Sequence, residues 1–343
     1  MIILKLKKYN KDINLYIYYS IMKCIMYASK INNNSILQVG GTGHSFCDYI
    51  TPLIISKLYP QIKFIHNKME TTLQKRDMDI DNDNNIYYWN DFLNLDYLDN
   101  MINTENCNLY NLSNNEQFKS IDINNLENTI NNNNDNNLLY YISDNNRIYL
   151  FDLYNMELQG LVRKKITQEI ILDLRKAYYL KHEIKKNHKK IINVYIRRGD
   201  LYQYFKNKNI NNEYYDFEYN IFKYIYSLLP NKNDYIINVI SAGNINEIND
   251  VKHQFSEFEN INFILNADQG YVFKLLTQSD LLIFSSSSFP FTASLYSNGY
   301  IIKKKTDYYF SDCIKFKDIV FLDNYIFIDN MNELANNTFI NLL

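Results

Sequence analysis

The chain has 343 residues, which is long for a single hydrophobic core and enough for two domains. Hydrophobic residues make up 46% of it, so a sizeable core can be buried. The 36 Lys and Arg residues nearly balance the 38 Asp and Glu residues. The resulting formal net charge of −2 argues against nucleic acid or an anionic membrane surface as the main partner.

Cysteine usage indicates a reducing compartment. The cysteines lie far apart in the sequence and form no C-x-x-C pair; they are Cys24, Cys47, Cys107 and Cys313. This spacing predicts free thiols and no zinc site. We therefore expect a soluble, cytoplasmic protein.

The N-terminal segment Ile13–Ala28 is apolar, but Asn14, Ser20 and Lys23 interrupt it. It is too short and too polar to give a firm membrane span. The pattern predicts a surface or docking helix, and a membrane anchor is the alternative.

The next stretch resembles the opening of a nucleotide-binding unit. Ser35–Gly43 is typical of a strand running into a glycine turn, Ser45–Tyr59 has helical spacing, and Gln61–His66 is typical of the following strand. The glycine loop is neither a Walker A sequence nor a dinucleotide fingerprint. A tight strand-to-helix turn without a ligand explains it equally well.

The acidic stretch Asp77–Asp83 is the one candidate for a metal loop. As a calcium loop it fails, because Asn82 stands where Gly is required and Tyr88 where the bidentate Glu is required. A metal-binding D-x-D should follow an apolar strand, whereas Lys75 and Arg76 precede this one. We predict a solvated loop and no metal site.

An Asn-rich region and a long helix divide the predicted domains. Residues Asn94–Asn146 predict irregular, insertion-like structure. The apolar residues of Leu161–Lys186 follow a helical period, and we expect the domain boundary near the end of this helix. The N-terminal domain would then comprise residues 1–185, with the insertion at about 94–146, and the C-terminal domain residues 186–343.

Strands and single helices alternate regularly in the C-terminal half. The predicted strands are Ile191–Ile196, Tyr235–Ser241, Ile261–Leu265, Leu281–Phe284 and Tyr300–Ile302. The predicted helices are Glu213–Leu229, Ile245–Phe255, Tyr271–Gln278 and Phe291–Ser297. This alternation is typical of an α/β fold with a doubly wound parallel sheet.

Two of these strands end at residues suited to phosphate. Ile191–Ile196 leads to Arg197 and Arg198, and Leu281–Phe284 leads to Ser285–Ser288. Ligands of open α/β sheets lie at the carboxyl ends of the strands, and guanidinium groups with hydroxyl and backbone N–H donors suit a diphosphate.

Simpler explanations exist for each motif. The Arg-Arg-Gly-Asp sequence is also compatible with a surface turn or an adhesion tripeptide, and the serine run with helix capping by Ser287 or Ser288.

The motifs together resemble a known family, the GT-B fold fucosyltransferases, which include α-1,2 and α-1,6 enzymes and protein O-fucosyltransferases. Val194–Asp200 resembles the family's His-x-Arg-Arg-Gly-Asp motif, Asp280–Ala293 its serine motif, and Gly40–His44 its Gly-Gly-x-Gly-Asn loop. The resemblance is clear over about residues 190–300 and weaker at 36–58. Tyr195 replaces the usual His of the first motif, and His44 replaces the usual Asn of the loop.

The resemblance implies a GT-B-like fold, with two Rossmann-like domains facing a cleft. It implies transfer of a sugar from a GDP-sugar, GDP-fucose in the family, to a hydroxyl of a glycan or protein acceptor, with inversion and without a metal or other cofactor. The implied catalytic residues are Arg197, His44 and Asp200. The implied donor-binding residues are Gly41, Gly43, Arg197, Arg198, Asp268, Ser286, Ser287, Ser288 and Phe289.

Two alternatives stay open at this point. One is a related transferase that uses another nucleotide sugar. The other is a non-catalytic module that binds sugar nucleotides or glycans, because a fold by itself does not fix a function.

Overall fold

The computed structural model describes residues 23–27, 30–32, 35–37, 53, 56–57, 62–64, 89–97, 118–120, 139–142, 160–184, 187–198, 216–285, 287–304, 324–328 and 333–334. The strands in chain order are β1 (Lys23–Tyr27), β2 (Lys30–Asn32), β3 (Ser35–Leu37), β4 (Ile62–Phe64), β5 (Phe118–Ser120), β6 (Leu139–Ile142), β7 (Lys190–Arg197), β8 (Tyr235–Ala242), β9 (Ile261–Leu265), β10 (Leu281–Phe284), β11 (Tyr300–Lys304) and β12 (Tyr325–Ile328). The helices are α1 (Trp89–Phe92), α2 (Gly160–Lys181), α3 (Phe217–Leu228), α4 (Ile245–Gln254), α5 (Gln269–Thr277) and α6 (Ser288–Tyr296).

The C-terminal strands form one parallel sheet of six strands, in the order β12-β11-β10-β7-β8-β9. The predicted doubly wound α/β arrangement is therefore confirmed for this half of the chain. Two predicted strands, β9 and β10, have the predicted bounds. Helix α6 begins at Ser288, ahead of the predicted Phe291, because Pro290 is compatible with a helical first turn. Strand β12 was not predicted.

The strand order creates a switch point between β7 and β10. From β7 the chain moves outward through β8 to β9, returns to the other side of β7 to form β10, and continues outward to β11 and β12. Counted from β7, this is the 3-2-1-4-5-6 order of Rossmann-like folds. The crevice of such a sheet lies at the carboxyl ends of the two strands where the order reverses.

Helices cover both faces of this sheet. On one face, α3 and α4 pack against alternate strand residues, among them Ile192, Val194 and Ile196. On the other face, α5, α6 and α2 pack against one another, and Asn193 of β7 bonds to Leu275 of α5. Because both faces are covered, the interior of β7 is buried without interruption, as is usual for parallel strands.

Four shorter strands form a second parallel sheet in the N-terminal half, in the order β4-β1-β6-β5. The prediction of a helix over Ile13–Ala28 is wrong at its C-terminal end, because residues 23–27 are strand β1. The sequence KCIMY includes residues that favour strands, and β1 pairs on both sides. Strand β6 likewise gives regular structure to part of the region predicted to be irregular.

The two strands of the predicted nucleotide-binding unit near residue 40 lie in different sheets. Strand β3 pairs antiparallel with β2 instead of joining the parallel sheet, whereas β4 does join it. Residues 53, 56 and 57 are helical, within the predicted helix. The glycine loop itself and the acidic stretch Asp77–Asp83 lie outside the described residues.

The long predicted helix is present as α2, and its C-terminal half packs on the C-terminal unit. Arg175 Nε donates to the carbonyl of Leu295 at 2.6 Å, and Tyr179 Oη donates to that of Tyr296 at 2.7 Å. These donors satisfy carbonyl groups at the C-terminal end of α6, which have no partner within the helix. A domain boundary near residue 185 stays a prediction.

A ladder of asparagine side chains crosses three strands. Asn193, Asn238 and Asn262 stand in register on β7, β8 and β9. Asn238 Nδ2 donates to Asn193 Oδ1 at 2.8 Å, and Asn262 Nδ2 donates to Asn238 Oδ1 at 3.1 Å. Asn193 Nδ2 in turn donates to the carbonyl of Leu275 and to Ser279 Oγ, both at 2.7 Å. The asparagine side chains thus link the three strands to one another and link β7 to α5.

Replacing the middle asparagine should destabilise the fold more than replacing the outer one. Asn238→Ala removes a partner from two neighbours, one of them the fully buried Asn193, and we expect a loss of about 2 kcal/mol in the free energy of unfolding. Asn262 is exposed, so water can replace it, and Asn262→Ala should cost less than about 1 kcal/mol. Urea unfolding of both variants measures the difference; equal losses would contradict the larger contribution of the middle asparagine.

Candidate functional site

The two polar strand ends predicted from the sequence lie side by side. Strands β7 and β10 are neighbours, with Phe284 in register with Tyr195. Arg197 is the last residue of β7 and Ser285 follows β10, so both lie at the same carboxyl edge. This is also the switch point of the sheet, where open α/β folds form their ligand crevice.

The two consecutive arginines differ in their surroundings. Tyr195 of β7 faces Phe289 of α6, so strand alternation places Arg197 on the same face, toward α5 and α6, where it is half-buried. Arg198 is only 6% exposed and interacts electrostatically with Glu218 of α3, on the opposite face. The family resemblance implies donor binding by both arginines and a catalytic role for Arg197 alone, and in the structure Arg197 is the more accessible of the two.

Close packing at the end of β8 helps to hold Arg198. A Cβ atom at Gly243 would lie 3.2 Å from Arg198 Cβ and 2.3 Å from Glu247 Oε2. A side chain at position 243 would therefore have to displace the Glu247 carboxylate, which accepts the N–H of Asn244. Arg198 Nη1 also donates to the carbonyl of Arg197 at 3.2 Å.

Ser285, the first residue of the serine segment Ser285–Ser288, is held by hydrogen bonds to Glu218 and Lys303. Its backbone N donates to Glu218 Oε1 at 3.0 Å, and its hydroxyl donates to the same oxygen at 2.5 Å. Its carbonyl accepts from Lys303 Nζ at 3.1 Å. Ser285 is 3% exposed, and these hydrogen bonds anchor the start of the segment.

Ser287 and Ser288 begin helix α6. Ser287 occupies the N-cap position with extended backbone, but within the described part of the chain its hydroxyl makes no capping hydrogen bond. The capping explanation of the serine run is therefore correct for the position and wrong for the hydrogen bond. Both serines are half-buried, and backbone N–H groups at a helix N-terminus favour anions.

Phe289 packs its ring into an aromatic cluster. Its centroid lies 6.2 Å from those of Trp89 and Tyr195 and 5.9 Å from that of Phe273. The side chain therefore packs the start of α6 against β7 and α5. Tyr195, where the resembling family has His, is itself 8% exposed and belongs to this packing.

Asp268 and Asp280 have structural roles. Asp268 is the N-cap residue of α5 and accepts from the N–H of Tyr271 at 2.9 Å. It follows β9, two strands away from β7. Asp280 precedes β10 at the opposite edge of the sheet, where its carboxylate accepts from the N–H of Ile191 at 2.6 Å.

The sequence did not single out Glu218 or Lys303, which complete this region. Both are 2% exposed. Burial raises the pKa of Glu218 above its ordinary value, while its hydrogen bond with Ser285 and the charge of Arg198 oppose that rise. Lys303 also lies over the ring of Phe284, 5.7 Å from its centroid. An acid in the first turn of a helix and a lysine in a basic run both resemble ordinary surface residues, so neither stands out in the sequence.

The remaining predicted site residues are Gly41, Gly43, His44, Asp200 and Ser286, and they lie outside the described residues. Among the described residues, no group of three His, Cys, Asp or Glu side chains is placed to hold a metal ion. No helix in the described ranges is long and apolar enough to cross a membrane.

Fold and geometry together define a class: a parallel, Rossmann-like α/β unit with cationic and hydroxyl side chains at its switch point. No protein-family model matches the chain, and no curated protein matches it at a significant level.

Proposed function

We propose that the protein is a glycosyltransferase of the fucosyltransferase type, which transfers a sugar from a GDP-sugar to an acceptor hydroxyl with inversion and without a metal. One observation carries the proposal: Arg197 and the start of α6 lie at adjacent carboxyl ends on either side of the switch point. The identity of the donor rests on the resemblance of Val194–Asp200 and Asp280–Ala293 to the family's motifs.

In the proposed reaction, the acceptor oxygen attacks the anomeric carbon as the bond from that carbon to the diphosphate oxygen breaks. The acceptor proton passes to a base, for which Asp200 and His44 are the candidates, and the electron pair of the broken bond stays on the diphosphate. Arg197 and the N–H groups at the start of α6 would stabilise this growing negative charge. Arg198, which is buried beside Glu218, would help to hold the end of β7 that carries Arg197.

Nucleotide binding tests the proposal directly. We expect GDP to raise the melting temperature of the purified protein, with and without EDTA, and UDP and ADP to raise it much less. Ligand at a hundred times its Kd adds about 2.7 kcal/mol, which is readily measured. A shift that needs UDP and a metal would contradict the proposed donor, and no shift with any nucleotide would contradict the site.

A non-catalytic module that binds sugar nucleotides is the second candidate. The burial of Tyr195 against Phe289 favours it, because the residue at the position of the family's His then packs in the core and does not face a ligand. GDP-fucose binding without transfer to any acceptor and without donor hydrolysis would support this candidate over the enzyme.

A further inference from the structure

Glu218 is a buried carboxylate at the switch point. It is the second residue of α3, faces the sheet and is 2% exposed. A negative charge in the first turn of a helix is stabilised by the helix dipole, but burial of a carboxylate costs free energy unless it is paired and hydrogen-bonded. The residues around it meet this condition.

Glu218 links the two strand ends of the candidate site. Its Oε1 accepts both the N–H and the hydroxyl of Ser285, which follows β10. The same carboxylate interacts electrostatically with Arg198, which follows β7. One side chain on α3 thus connects the arginine end and the serine end.

Lys303 holds Ser285 from the other side. Its Nζ donates to the Ser285 carbonyl, and its position over the Phe284 ring places it on the face of the sheet opposite α3. With N–H, hydroxyl and carbonyl all bonded, Ser285 has a fixed position. The segment that leads to α6 therefore starts from a point set by Glu218 and Lys303.

A purely structural role is a poor explanation for this carboxylate. An apolar side chain at this site would pack against the sheet without the desolvation cost, and well-packed apolar replacements of buried ion pairs are often neutral or stabilising. Unlike an apolar side chain, a carboxyl group makes directional hydrogen bonds, so it can fix the positions of Ser285 and Arg198 relative to each other.

We infer that Glu218 is a positioning residue for the diphosphate of the donor, an inference that rests on the proposed function. Through Ser285 it sets where α6 presents its N-terminus, and through Arg198 it sets the end of β7 that carries Arg197. Replacing its carboxyl group should disturb the spacing of the anion-binding groups on the two strands.

The test compares GDP with guanosine as calorimetric probes, because their ratio isolates the contribution of the diphosphate. We expect Glu218→Gln to weaken GDP binding at least about tenfold and guanosine binding less than about twofold. Glu257→Gln is the control. It removes an exposed carboxylate that pairs with Lys223 of α3, the helix that also carries Glu218. A purely structural defect would weaken both probes alike.

Ser285→Ala keeps the inference testable if Glu218→Gln does not fold. It removes one of the two donors to Glu218, and we expect GDP to bind about threefold to tenfold more weakly with guanosine unchanged. Ser294→Ala is its control, because Ser294 is also a buried serine, in the last turn of α6, and it bonds to Phe291 and Tyr325.

The outcomes separate the inference from the proposed function. If the wild-type protein binds GDP and the variants keep its GDP-to-guanosine ratio, the positioning role is overturned and the proposed function stands. If the wild-type protein binds neither GDP nor any other nucleoside diphosphate, the proposed function is overturned and the inference with it.

Discussion

Arg197→Ala is expected to reduce sugar transfer by about 10²–10³-fold, because a preorganised donor to a developing negative charge is typically worth about 3–4 kcal/mol at the transition state. Arg197 ends β7 at the switch point and is half-buried, so its guanidinium is partly desolvated there. Most of the loss should appear in kcat, since charge on the diphosphate grows as the bond to the sugar breaks. Radiolabelled donor and single-turnover kinetics measure it.

Two further variants sharpen this result. Arg197→Lys keeps the charge but not the planar fork, and it should recover only part of the lost rate. Lys232→Ala removes a cation just before β8, at the opposite edge of the sheet, and should leave transfer unchanged. Normal transfer by Arg197→Ala would remove Arg197 from the proposed mechanism.

Trp89→Ala is expected to lower the free energy of unfolding by about 3–5 kcal/mol, which is typical of removing a large buried aromatic. Trp89 is fully buried, and its ring meets Phe92, Phe273 and Phe289 at centroid distances of 5.2, 5.4 and 6.2 Å. The segment from residue 89 to 97 therefore packs its tryptophan against the helices that follow β9 and β10. Guanidinium unfolding followed by far-UV circular dichroism measures the loss.

The Trp89→Phe variant is the matched comparison. It keeps an aromatic ring in the cluster and should lose clearly less than the alanine variant, because a smaller cavity remains. Polar contacts also hold this segment: Asn94 Nδ2 donates to the Ala177 carbonyl at 2.7 Å, and His182 Nε2 donates to the Phe92 carbonyl at the same distance. A loss below about 1 kcal/mol for Trp89→Ala would mean that these contacts, and not the ring, hold the segment.

The C-terminal elements were predictable because their apolar runs are short, regular and clearly bounded. β9 and β10 are five and four residues long, and polar residues such as Asn266 and Ser285 end them. β12 was missed because it follows a stretch in which apolar and charged residues mix without a clear period. β1 was predicted as helix because it lies within a longer apolar segment that has no strict alternation.

The site was predictable only where polar residues directly follow a strand. Arg197 and Ser285 were found in this way, and the parallel sheet implied a common edge. That their two strands are neighbours depends on strand order, which local patterns do not contain. Glu218 and Lys303 lie outside both motifs, 67 and 18 residues from Ser285 along the chain, so their convergence on Ser285 appears only in the folded protein.

The strand order has a consequence for how the protein is made. β8 pairs with β7 at a sequence separation of 45 residues, as between Asn193 and Asn238, and β9 pairs with β8 at a separation of 24, as between Asn238 and Asn262. β10 must instead return to β7 at a sequence separation of 89 residues, the distance along the chain between Ile191 and Asp280. These two residues bond to each other at the amino-terminal ends of the two strands, through the backbone and through the Asp280 carboxylate. Contacts of such sequence separation form late because more chain entropy is lost before they close. The arginine side of the crevice is therefore synthesised and paired first, and the crevice forms only once β10 has paired with β7.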